Sequence, residues 1–266
     1  MFTLFRPHFR DSLAATVVAL LCVLGVGFLQ VPQLNKLKAS EKTASLKTLG
    51  KEIQSEKLRL NLLQQLPTFG FDNLIADWTF LNFLQYFGDD EVREKTGYSL
   101  SPEYFEVILG RDPYFLQAYL FLSTSTSMYA AMPERSVALM EKGLKSLSPL
   151  VPPRSYYIWR YKGIDELLFL GSPQAAKQSF ATAAQWASTY SDEESKQVAA
   201  LSRRTAEFLA GNPKSKSAQI AAWTMVLTSP VDTQTRGRAI KRIEALGGKV
   251  SITPQGGVQV TPPQED

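Results

Sequence analysis

Histidine and cysteine are almost missing from this chain: its 266 residues hold one of each, His8 and Cys22. A single imidazole excludes Ser-His-Asp and Cys-His nucleophilic sites and any multi-histidine metal centre. A single thiol, placed inside an apolar run, excludes an internal disulfide framework or a zinc ribbon. GxGxxG, P-loop, GxSxG, HExxH and CxxC motifs are absent as well, so the usual nucleotide, hydrolase and metal fingerprints are missing. No catalytic residue, metal or cofactor is expected. The run Ser123 to Ser127, Ser-Thr-Ser-Thr-Ser, invites a nucleophile reading. With no His or Lys neighbour, it is expected instead to serve as small-residue contact between helices.

A surplus of one charge sign is missing from most of the chain too. The net charge is +4, but residues 1–66 carry nine Lys and Arg against four acids, and the other 200 residues carry 20 against 21. The basic character therefore belongs to the N-terminal quarter. Nucleic-acid binding is not expected, because no basic and aromatic stripe runs along the rest. Lys36, Lys38, Lys42 and Lys47 are read as contacts to anionic lipid headgroups.

What the chain does have is a long uncharged run, Ser12 to Asn35. At about 1.5 Å per helical residue, such a run spans a hydrocarbon core of about 30 Å. A short basic tail, 1–11, precedes this expected transmembrane anchor, 12–34. A cleaved signal peptide is the rival reading, but Gln30, Pro32 and Gln33 occupy the place of a small-x-small cleavage site. The orientation rules conflict, since Arg6 and Arg10 precede the span while the lysines follow it. A long domain crosses largely regardless of its charge, which favours an exoplasmic or lumenal domain on a single-pass protein of an inner, plasma or thylakoid membrane.

Beyond the span the periodicity is helical. Leu46, Leu49, Ile53, Leu60 and Leu63 mark an amphipathic juxtamembrane helix within 35–66, closed by Pro67 and Gly70. Phe71 to Asp90 then reads FDNLIADWTFLNFLQYFGDD, apolar on two faces. A helix that apolar should be covered on more than one side, as a central helix of the core. Asp77 and Trp78 are accordingly expected as buried polar groups, with Arg93 or Arg111 paired to Asp77. Tyr86 on the same segment is a candidate for protein contact. Tyr157, Trp159 and Arg160 are a second candidate, since Tyr, Trp and Arg are enriched at binding hot spots.

From Arg111 onward two helix pairs follow one plan. Pro113 and Pro149 stand 36 residues apart, and the Gly171-Ser172-Pro173 turn divides the second pair. Ser136, Met140 and Gly143 match Ala176, Phe180 and Ala183 in spacing, small residues flanking a bulky one where two helices cross. A period in the mid-thirties points to a tetratricopeptide-type stack. Two further helices and a terminal one, to Leu246, would continue and cap it. The tail 247–266 is expected to be flexible or at most a short strand pair.

The stretch ADWTFLNFLQYFGD, with LGRDPYFLQAYLF and the Gly-Ser-Pro turn before QAAKQSFATAA, resembles bacterial membrane-anchored tetratricopeptide-repeat-like proteins, with cyanobacterial wording the nearest. The resemblance covers about residues 58–210 and implies an anchor and a helical-repeat domain; it transfers no activity. The expected fold is therefore all-α: one transmembrane helix followed by a degenerate α-solenoid over 67–246. The expected function is a membrane-tethered scaffold for a protein or peptide partner, in assembly or maintenance of a membrane complex, photosynthetic for cyanobacterial members. A permanent accessory subunit is the alternative, and an enzyme with a carboxylate site around Asp77 the third.

Overall fold

The structure, a computed structural model, describes residues 17, 20, 24–26, 28, 30–31, 46–211, 216–228, 232–252 and 258–263. It divides into two units, Met1–Thr48 and Leu49–Asp266. In the first, the described residues of the uncharged run are all helical, with Val17, Leu20, Leu24 and Phe28 exposed. The rest of the expected anchor, together with Lys36, Lys38 and Lys42, lies outside the described residues. Lys47 is described only as helical backbone. No helix among the described residues is long and apolar enough to cross a membrane.

The protein is mostly helical, as its sequence periodicity predicts. Helix α1 (Leu46–Gln65) is followed by α2 (Asp72–Gly88), α3 (Asp90–Thr96) and α4 (Ser101–Arg111). Helix α2 packs on α4, and the reason is its Phe stripe. Phe80 and Phe83 recur with Ala76 and Thr79 on one face and are buried. The Phe83 ring lies 4.6 Å from that of Phe105, and Phe80 lies 4.8 Å from Phe115. Arg111 ties the end of α1 to α4 by donating from Nη2 to the carbonyls of Leu63, Gln64 and Leu66, at 2.7, 2.9 and 2.7 Å. It also pairs with Asp72 at 3.2 Å.

Two helix pairs come next. The first is α5 (Leu116–Leu122), continued by a widened π-helical turn π1 (Ser123–Tyr129), and then α6 (Pro133–Leu144). The second is α7 (Tyr156–Ile164), continued by π2 (Asp165–Phe169), and then α8 (Pro173–Ala187). Both first helices end by one device. Ala130 N donates to Ser125 O and Met132 N to Thr126 O; Leu170 N donates to Asp165 O and Ser172 N to Glu166 O. The residue between, Ala131 or Gly171, has φ of +51° or +63°, and a proline opens the next helix. A left-handed residue capped by a backbone bond six residues back is a Schellman-type stop, and proline suits the first helical turn because that turn has no use for its N–H.

Each equivalent position is 40 residues from its counterpart, including Pro113 and Pro153. The 36-residue spacing of Pro113 and Pro149 is thus not the repeat; Pro149 lies in the irregular link before α7. The widened turn and the long link lengthen the unit. The matched triplets sit where spacing placed them, with Ser136, Met140 and Gly143 buried on α6 and Ala176, Phe180 and Ala183 buried on α8.

Gly143 is required for a close approach. A Cβ there would collide with the ring and hydroxyl of Tyr119, which is fully buried and donates to Pro113 O at 2.8 Å. Gly143→Ala should lower stability by about 2–3 kcal/mol through overpacking, measured as a shift of the urea midpoint. Adding Tyr119→Phe should restore part of the loss, because the hydroxyl is the nearest colliding group.

Helix α9 (Glu193–Gly211) packs against α8, and α10 (Lys216–Thr228) against α11 (Thr233–Ala245). Trp223, Val226 and Ile243 form a second core with Phe169 of π2. The tail supplies a strand pair, β1 (Lys249–Ile252) and β2 (Val258–Thr261), antiparallel with Lys249 opposite Thr261. Val250, Val258 and Val260 pack on that second core.

Candidate functional site

Asp77 and Trp78 are not buried. Asp77 is exposed and Trp78 is 57% exposed. The reason is the helical wheel of α2, in which Ala76, Thr79, Phe80 and Phe83 define the core side. At 100° per residue Leu74, Trp78 and Leu81 fall opposite it, with Asp77 beside them. Those three apolar residues are more than half exposed. Helix α1 repeats the arrangement: Leu49 and Leu60 are buried, and Leu58 and Leu62 point the other way and are exposed, as is Leu66 just past its end. Phe69 and Phe71 in the connection between the helices are exposed too, at 86% and 64%. Sequence reasoning detected the second apolar face of α2 but assigned it to the interior. Asp77 pairs with neither suggested arginine: Arg111 holds Asp72, and Arg93 has no carboxylate within ion-pair distance among the described residues.

Tyr86 lines a cleft of about 320 Å³ bounded by α1, α2 and α3. Its hydroxyl donates to Gly97 O at 3.4 Å and accepts from Leu100 N at 3.1 Å. Burial holds its phenol pKa above the ordinary value. Arg93 stacks on the Tyr86 ring, 4.0 Å from guanidinium carbon to centroid. Tyr104, whose ring packs beside that of Tyr86, donates to Glu56 Oε1 at 2.5 Å, and Glu56 also pairs with Arg59.

The other sequence candidate makes contacts to the neighbouring helices. Tyr157 donates to Glu194 at 2.7 Å and Arg160 donates to Ser202 Oγ at 2.8 Å, both acceptors on α9. The Trp159 and Trp186 rings meet edge to face at 5.8 Å, and the Trp159 Nε1–H is buried without a partner. The three side chains fasten α7 to α8 and α9 and remain half-buried.

Two buried polar centres lie between the helix pairs, and sequence reasoning named neither. Asp165, fully buried at the start of π2, accepts from Ser123 Oγ at 2.8 Å, Ser127 Oγ at 2.6 Å and Ser136 Oγ at 2.8 Å. Burial pushes its carboxyl up to about 6, and the three hydroxyls draw it part of the way back. The two ends of the serine run, Ser123 and Ser127, are therefore donors to one carboxylate, while Thr124 donates to Leu120 O and the Ser125 and Thr126 hydroxyls are buried without a partner. Nearby, Lys162 pairs with Glu166, one helical turn on, and with Glu141 at 3.3 Å; Ser179 donates to Glu166 Oε2 at 2.6 Å. The available signal was Lys162 and Glu166 four residues apart in YKGIDELLFL, an otherwise apolar segment.

No family model matches this chain, and no curated protein or solved structure matches it.

Proposed function

We propose that this chain is a membrane-tethered scaffold built of degenerate tetratricopeptide-like helix pairs, which holds an apolar or amphipathic helix of a membrane-protein partner. The observation that carries the reading is the outward apolar face of α1 and α2. Proteins seldom expose this many large apolar side chains on two consecutive helices without using them. Eight large side chains, Leu58, Leu62, Leu66, Phe69, Phe71, Leu74, Trp78 and Leu81, are each more than half exposed there. Together they present an area on the order of 800 Å², one side of a standard interface. A pair at i and i+4 on one helix and a stripe at i, i+4 and i+7 on the next suit recognition of a third helix. The 40-residue pairs support the repeat assignment, and the uncharged run with its trailing lysines supports the tether.

A photo-crosslinking side chain at position 62 or 78 of the full chain, in native membranes, should trap one discrete protein. The same group at exposed Lys196 should not. Lipid adducts alone at 62 and 78 would sink the partner reading. Leu62→Glu and Trp78→Glu should abolish co-migration of the trapped protein on native sizing, while stability stays within about 0.5 kcal/mol of wild type, as expected for exposed positions.

The permanent-subunit reading is favoured by the apolar character of the same face, since obligate interfaces are the more hydrophobic class. Equimolar, salt-resistant co-migration would select it over a transient scaffold.

A further inference from the structure

We infer that the cleft between α1, α2 and α3 is a binding site for a carboxylate carried on an apolar or aromatic group. The argument starts with Arg93. Its side chain is buried, 6% exposed, and lines the cleft. Nη1 donates to Gly97 O at 3.1 Å, and the guanidinium plane rests on Tyr86. Nε is buried with no hydrogen-bond partner. A guanidinium withdrawn from water costs several kcal/mol unless an anion faces it, and among the described residues no carboxylate pairs with Arg93. The other cation of the cleft, Arg59, is already held by Glu56. The charge of Arg93 is therefore left for something that enters.

The walls decide which anion. Glu52, Glu56 and Asp89 also line the cleft, so a dianionic phosphate would meet one unspent cation and three acids. A monoanionic carboxylate, taken by guanidinium through paired donors, meets less repulsion. Tyr86 and Tyr104, with ring centroids 5.1 Å apart, and Leu49, Ile53 and Leu100 supply an apolar seat beside the charge. A volume of about 320 Å³ fits one amino-acid-sized group. Free amino acids and peptide C-termini both carry this chemistry. The site is separate from the outward face of α1 and α2, and its occupancy does not depend on the scaffold reading.

The test is calorimetric titration of the full detergent-solubilised chain with N-acetylphenylalanine, its amide, free phenylalanine and inorganic phosphate. N-acetylphenylalanine should bind saturably with a dissociation constant on the order of 1 mM or tighter, and at least tenfold more tightly than the amide or phosphate. Comparable binding of free phenylalanine would identify the amino acid as ligand, through its ammonium on the wall acids. Its exclusion would identify the acylated chain end. Gln85→Trp, which fills the exposed mouth of the cleft without touching the core, should abolish the heat. Arg93→Met should weaken binding tenfold or more while leaving the unliganded melting temperature unchanged or higher, because the buried charge has no anionic partner to lose. No saturable binding by the wild type, equal binding of acid and amide, tighter phosphate, or a marked fall in melting temperature for Arg93→Met would overturn the assignment.

Discussion

Lys162→Ala should lower stability by about 3–5 kcal/mol, among the largest losses expected from single side chains outside the apolar core. The substitution leaves Glu166, itself buried, facing no cation, and an unpaired buried charge is the costly member of a broken ion pair. Glu141 cannot inherit the role, since it carries charge of the same sign as Glu166. The triple replacement Lys162→Met, Glu166→Leu, Ser179→Ala should recover most of the loss, because it removes the carboxylate together with the hydroxyl that donates to it. Chemical denaturation of the wild type and the two variants decides the matter. A mild Lys162→Ala would mean that the pair is solvated in solution.

Asp165→Ala should cost a similar amount, about 3–5 kcal/mol. It takes one acceptor away from three hydroxyls, and each buried donor left unsatisfied costs about 1–3 kcal/mol. The pH dependence distinguishes this centre from an ordinary surface aspartate. An unfolded aspartate titrates near 3.9, and burial raises Asp165 to about 6. Between those values the folded chain binds the additional proton. The contribution of this group is therefore most favourable below about pH 4 and is lost as pH rises through 6. Across the whole window the change is about 3 kcal/mol at about 1.4 kcal/mol per unit. Relative to Asp165→Asn, which cannot titrate, the wild type should gain about 1 kcal/mol between pH 7 and pH 5 in urea midpoints. A gap that is flat with pH would place water or a cation at the carboxylate.

These two centres show where reading from sequence succeeds and where it stops. Helices were legible because burial imposes a period: Leu49 and Leu60 on α1, and Phe80 and Phe83 on α2, are core residues at helical spacing. The Ser136, Met140, Gly143 triplet and its copy were legible because close helix crossings demand small residues. Burial itself was not legible on α2, where both faces are apolar and only the tertiary arrangement decides which one meets α4. Asp77 and Trp78 were misassigned for that reason. Asp165 could not be found because its three donors, at positions 123, 127 and 136, come from two elements of the preceding helix pair, about 30 to 40 residues away in sequence. Arg93 looked like one more helix-terminal arginine; its burial depends on Tyr86, Gly97 and the chain that folds over them. Tyr157, Trp159 and Arg160 have the composition of a hot spot, and their contacts to α8 and α9 could not be read from residue type.

The paired π turns have a historical consequence. A π turn holds more residues than the α turn it replaces, so each first helix carries extra chain at the same point, immediately before a left-handed stop and a proline. Two independent insertions would have had to strike equivalent places 40 residues apart. One duplication of a unit already so widened accounts for both, and each copy gives polar groups to the joint between them: Ser123, Ser127, Ser136 and Glu141 from the earlier, Lys162, Asp165, Glu166 and Ser179 from the later.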